Sequence, residues 1–280
     1  MFKTPLRILT IFIFGLTLLV GVNANKRAQE SNIRFDPVIK KIEGWTIHID
    51  PALLEGKHAK EGEHALKMLA NHLQRISILI QGEALKKLKT CQIWIEHSHP
   101  SLHSMQYHPS VGWLKSNGHD PRLNKMVHIP QAKALFSRGQ LLKHPAVILH
   151  ELAHSYHDQF LSFDHPDIIS AYKKAMKKGS YDKVMLYTGQ SVRHYAATNH
   201  KEYFAEGTES YFYRNDFYPF VRAELQKHDP FLHDVLKEIW GDATVSYTHL
   251  RAHETKANLV SRLMLEKKKG GAGGGGGGGG

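Results

Sequence analysis

The run His150-Glu151-Leu152-Ala153-His154 sets two imidazoles four residues apart with a carboxylate next to the first. On a helix, side chains at i and i+4 stand one turn apart on one face, so His150 and His154 can share a metal ion. Glu151 lies beside that pair and can serve as general base toward an attacking water. The chemistry this suits is hydrolysis at one catalytic Zn2+ ion. With 21 His in 280 residues, the five-residue pattern is weak evidence by itself, and its setting has to carry the reading.

That setting is residues 145–160, PAVILHELAHSYHDQF. Pro145 suits a first helical position, where its missing N–H costs nothing, and no later Pro or Gly interrupts the run. At about 100° per residue, His150, Glu151, His154, His157 and Asp158 fall within an arc of about 120°. Ile148, Leu149, Leu152, Ala153, Tyr156 and Phe160 occupy the other side. The spacing therefore predicts an amphipathic helix with an apolar face in the core and the ionisable groups on the opposite one. His157 and Asp158 lie beyond reach of the same ion and are expected to support the ligands from behind.

A catalytic zinc site needs a third protein ligand and an open position. Residues 199–212, NHKEYFAEGTESYF, read as a second helix with Glu202, Glu206 and Glu209 on one face. Such a like-charge stripe disfavours an isolated helix, and a cation would relieve it. Asn199 as N-cap would place Glu202 at the third helical position, as in a capping box. Spacing does not choose between Glu202 and Glu206.

His150-Glu151-Leu152-Ala153-His154-Ser155-Tyr156-His157-Asp158, followed by Tyr195, Asn199, Glu202, Ala205 and Glu206, resembles the anthrax lethal factor-like gluzincins, a group that includes secreted Pro-Pro endopeptidases. The likeness covers roughly residues 125–240 and is densest at the two motifs. It implies that Glu202 is the third ligand, that Glu206 supports from behind, and that Tyr195, seven residues before Glu202, is a catalytic tyrosine facing the substrate. It also implies a zincin-like fold. The toxin's delivery and docking regions have no room here, so its substrates are not carried over.

The elements around these motifs read as α+β, a small mixed sheet with an active-site helix and a mainly helical C-terminal part. Trp45, Ile47 and Ile49 alternate with polar residues as a strand, residues 92–96 and 126–129 are two more, and 65–88 has helical spacing with a break near Gly82. The strand at residues 126–129, MVHI, is the expected partner of an extended peptide substrate. His97, His99, His103 and His108 between strands are irregularly spaced and lack a carboxylate partner, which favours an exposed loop. A last amphipathic helix carries Phe231, Leu232, Val235, Leu236 and Ile239 and stops at Gly241.

At the start, Lys3 and Arg7, an apolar run over 8–20 and the small residues to Ala24 read as a secretory signal peptide, giving a secreted or periplasmic protein with no membrane anchor after cleavage. Residues 25–43 are polar and expected to be a loose leader, with a catalytic domain over 44–241. Residues 245–280 resemble translated sequencing adapter running into poly-Gly, a gene-model artefact. Without both ends, Lys plus Arg falls from 37 to 29 and Asp plus Glu from 26 to 24, so the net charge drops from +11 to +5. That mixed-sign remainder does not suit a nucleic-acid binder. The single Cys, Cys91, excludes an intramolecular disulfide and reads as a small buried hydrophobe. The reading is a secreted zinc endopeptidase; the alternatives are a zinc hydrolase of a non-peptide amide such as cell-wall material, and a non-catalytic extracellular metal-binding protein.

Overall fold

Glu43 and Gly44 both take positive φ, 50° and 94°, which bends the chain into a two-residue hairpin whose twist matches the flanking strands. It joins β1 (Val38–Ile42) to β2 (Trp45–Ile49) in antiparallel register, Val38 opposite Ile49 and Ile42 opposite Trp45. The sheet thus begins within the segment expected to be a loose leader, because the alternation that marks β2 has a partner directly upstream. In a computed structural model, residues 33–243 are described, nearly all of them in a unit that ends at Gly241. The signal peptide, the first part of the leader and residues 245–280 lie outside the described residues.

After β2 come α1 (Ala59–Leu79) and α2 (Gly82–Leu88), the break expected near Gly82 falling at Ile80 and Gln81. The chain continues through β3 (Gln92–Ile95), β4 (Gln106–Tyr107), α3 (Val111–Ser116) and β5 (Met126–Ile129). The strand order is β1-β2-β3-β5-β4, with β2, β3 and β5 parallel and the outer strands antiparallel to their neighbours. Register puts Ile47, Ile93 and Val127 in one row and Ile49, Ile95 and Ile129 in the next, all fully buried. The other face carries the row His48, Trp94, His128, where Trp94 packs with Leu114, Leu123, Phe35 and Met126. Neither face is left to water, so His48, a polar position in the alternation of β2, is buried as well.

The C-terminal half is mainly helical: α4 (Arg138–Lys143), α5 (Val147–Tyr156), α6 (Pro166–Lys178), α7 (His200–Phe212), α8 (Arg222–His228) and α9 (Pro230–Trp240), with a small β6 (Val184–Met185) and β7 (Ser191–Val192) hairpin between. The fold is mixed α+β with a small mixed sheet. Helix α5 packs on β4, β5, α1 and α7, so the motif helix is held from several sides and all ten of its residues are buried. Pro145 lies two residues ahead of the helix rather than at its first position, Ala146 being the N-cap.

Close approach of α7 to α9 depends on Gly207, where a Cβ would stand 2.6 Å from Leu232 Cδ2. On α9, Leu232 and Leu236 are buried as the pattern predicts, Val235 and Ile239 are half-buried, and Trp240, outside that pattern, is buried too. Phe231 is instead exposed, lying under the Lys174 ammonium. Cys91 is buried and free, and burial pushes its thiol up to about 11, so it is an inert packing residue. No described helix is long and apolar enough to cross a membrane.

Candidate metal centre

Helix α7 starts at an Asn199 N-cap whose Oδ1 accepts from the N–H groups of Lys201 and Glu202 at 2.9 and 3.0 Å. The expected cap is present, but the Glu202 carboxylate does not fold back to complete a box. It crosses instead to α5, where Oε2 lies 3.2 Å from His150 Nε2 and 3.1 Å from His154 Nε2. The two Nε2 atoms are 3.1 Å apart. Bonds of about 2.0–2.1 Å at tetrahedral angles separate ligand atoms by about 3.3 Å, so this triangle suits one zinc ion with a side left open. Of the two carboxylates that spacing left undecided, Glu202 is the one that meets both imidazoles.

Behind the triangle, His150 Nδ1 lies 2.6 Å from Glu209 Oε1 and 3.6 Å from Glu206 Oε1. Glu209 therefore makes the hydrogen bond expected of Glu206. It also lies 2.9 Å from His144 Nε2, so one buried carboxylate oxygen joins two imidazoles. Glu206 is fastened elsewhere: Asn215 Nδ2 donates to its Oε2 at 2.7 Å and to its backbone carbonyl at 2.9 Å. That clamp holds the turn after α7. His144 and Glu209 were not foreseen as site residues. Glu209 had a signal, its place seven residues after Glu202 on one helix face, whereas His144 on the loop before α5 had none.

The charges reflect this crowding. Burial opposes the His150 imidazolium, but Glu202 and Glu209 outweigh it and carry its pKa well above 6.5. Burial likewise opposes the Glu202 carboxylate, and the two imidazoles reverse that and hold it well below the usual carboxylate range. His144 is pushed up to about 9, the pull of Glu209 exceeding the cost of burial. Burial raises Glu151, against the opposing pull of His150 and His154.

His144, His150, Glu151, His154 and Glu202 line a cleft of about 510 Å3 that also takes in Tyr195 and the strand-edge residues Ser104–Tyr107. Tyr195 opens a short helical turn capped by His194, whose Nδ1 accepts from Ala196 N–H at 3.0 Å, and this turn packs on α7. Tyr195 is 48% exposed and its hydroxyl has no hydrogen bond to any described residue, so it is free to meet a ligand. The Glu151 carboxylate likewise makes no hydrogen bond to a described residue.

Three expectations fail here, each for a local reason. After Tyr156 the helix widens into a π-type turn, His157–Leu161, which takes His157 off the face computed for a regular helix. Its ring packs against Phe204 and Phe163, and burial lowers it to about 3. Asp158 does not support the ligands either: its Oδ2 accepts from Tyr107 Oη at 2.6 Å and from Lys125 Nζ at 2.5 Å, tying α5 to the sheet. The strand Met126–Ile129 is paired on both sides, so β4 and not β5 presents the sheet edge to the cleft.

The loop histidines also differ from expectation. His99 and His108 are buried, and a carboxylate does stand beside them: Glu96, directly before His97 in sequence and just past the end of β3. Glu96 Oε1 lies 3.1 Å from His128 Nε2, and His128 Nδ1 lies 3.1 Å from His108 Nε2, a chain of contacts between strands that no linear spacing shows.

Comparison of the chain with protein-family models, with curated proteins and with solved structures gave no match.

Proposed function

We propose that the chain is a secreted or periplasmic zinc-dependent endopeptidase with a zincin-like catalytic domain, of the gluzincin kind that its motifs resemble. The observation that carries this reading is the meeting of His150 Nε2, His154 Nε2 and Glu202 Oε2 within 3.2 Å of one another at the wall of an open cleft. When bound there, zinc supplies a Lewis acid for the scissile carbonyl and for water.

The chain's own groups divide the remaining work. Glu151 takes the proton of the attacking water and passes it to the leaving amine, which its buried but cleft-lining position suits. Tyr195 donates its unpaired hydroxyl to the oxyanion as charge develops. Glu209, braced by His144, holds the His150 ring with Nδ1 engaged and Nε2 directed at the ion. An extended substrate lies along the outer edge of β4, where main-chain groups remain for pairing.

The test is digestion of a diverse peptide library by the zinc-loaded protein, with and without a chelator, read by mass spectrometry. Chelator-sensitive internal cuts support the proposal and give the subsite preferences. Folded, zinc-loaded protein that cuts no peptide overturns it.

A further inference from the structure

A second group of ligand-type side chains lies apart from the cleft residues. His58 and Glu61 sit at the start of α1, three residues apart, and His97 follows the end of β3. One ligand atom from each lies within 4.8 Å of the others. The two imidazole rings lie close together and tilted, their centroids 3.6 Å apart at an interplanar angle of 33°. His97 Nε2 is 3.6 Å from Glu61 Oε1, and that oxygen is screened from solvent with no hydrogen-bond partner.

Such an arrangement is costly without a cation. A shielded carboxylate oxygen whose nearest donor stands 3.6 Å away, beyond hydrogen-bond range, recovers little of the hydration it loses. Two imidazoles this close repel if both are protonated, and neither ring has a hydrogen bond to a described residue. The backbone is nevertheless fixed: Asp50 Oδ2 accepts from the His97 N–H at 3.1 Å, while Asp50 Oδ1 accepts from Ala52 N–H at 2.9 Å in the turn that leads to α1. The same carboxylate thus anchors both segments that bring the three side chains together.

We propose that His58, Glu61 and His97 form a second site for a divalent transition-metal ion, Zn2+ or Co2+, separate from the catalytic centre. Two imidazoles and one carboxylate suit such ions, whereas Ca2+ and Mg2+ need more oxygen ligands than the site offers. Contraction from 4.8 Å to the ligand spacing of a bound ion needs only side-chain movement, since all three residues are partly exposed. Bound there, the ion fastens the start of α1 to the start of the segment 97–105, whose far end, Ser104 and Met105, lines the catalytic cleft.

The experiment is equilibrium uptake of Zn2+ by the full chain across a range of free-ion concentrations, repeated with Co2+ and read by its visible absorption. The wild type is expected to take up a tight equivalent at the cleft and a weaker one elsewhere. The double variant His58→Ala, His97→Ala should take up one equivalent fewer and keep the tight one, which His154→Ala should lose instead. Glu61→Gln alone should weaken the second phase at least tenfold, a reading independent of whether the double variant folds. Equal uptake by the wild type and the double variant, or an unchanged second phase in Glu61→Gln, overturns the proposal.

Discussion

Glu209 Oε1 stands 2.6 Å from His150 Nδ1, closer than the 3.6 Å of Glu206 Oε1, although both carboxylates project from the same helix toward the same ring. The nearer one fixes which imidazole nitrogen is left for a metal. Glu209→Gln is therefore expected to weaken zinc binding by about 10- to 100-fold. Glu206→Gln should weaken it less and act mainly on stability through the lost Asn215 contact. Competition with a chromophoric chelator ranks the two, and a larger loss in Glu206→Gln would reverse the assignment.

Glu151→Gln should keep the zinc and lose about 10²- to 10⁴-fold in kcat/KM on any peptide identified as a substrate. Retained activity with bound metal removes Glu151 from its role as base.

Replacing Tyr195 by Phe removes a hydroxyl that bonds to no described residue. The fold is expected to be unaffected, within about 0.5 kcal/mol. If the hydroxyl meets the oxyanion, kcat falls by about 10²- to 10³-fold with KM little changed. A change confined to KM would instead make Tyr195 a binding residue.

Asn199→Ala leaves the Lys201 and Glu202 N–H groups without their side-chain acceptor. A cost of about 1 kcal/mol is expected in denaturant unfolding. Because one of those donors belongs to Glu202 itself, metal affinity should fall as well. Lost stability with unchanged affinity would show that the crossing to α5 positions the carboxylate without help from the cap.

Acid should unfold the ion-free protein through its buried neutral histidines. Burial lowers His72 to about 4, with Arg75 adding to the effect, and lowers His108 and His128 to about 3. Below the unfolded value near 6.5 the unfolded chain binds protons that these rings refuse, so stability present above 6.5 is lost as pH falls toward 3 or 4. Each ring contributes a slope of up to ~1.4 kcal/mol per pH unit. His144 does not blunt this loss, because its raised pKa gives stability that is complete below 6.5 and lost only as pH rises through about 9. Chemical unfolding measured between pH 4 and 7 checks the sign; a flat or rising curve on acidification contradicts it.

The two motif helices were legible because each has a regular period: His150 and His154 at i and i+4, and Glu202, Glu206 and Glu209 on one face behind an Asn cap, although the period did not choose among the carboxylates. Periodicity fails where the helix stops being regular, and the widened turn after Tyr156 redirects both His157 and Asp158. It also fails where neighbours come from distant segments. Glu96, adjacent to His97 in sequence, turns to His128 on the neighbouring strand, and His58 meets His97 across a strand end. The edge position of β4 was illegible for a third reason: two residues, Gln106 and Tyr107, carry no alternation to detect.

The sheet's two margins differ in a way that bears on behaviour in concentrated solution. At one side β1 turns Val38 and Ile39 partly to solvent, the composition that invites another chain to add a strand, but Lys40 and Lys41 follow directly in the same strand. A second copy approaching in register would bring these ammonium groups together, so self-assembly through this border is opposed by charge. High ionic strength screens that opposition. Replacing both lysines with neutral residues removes it, making this border the place where salt-induced clumping would begin.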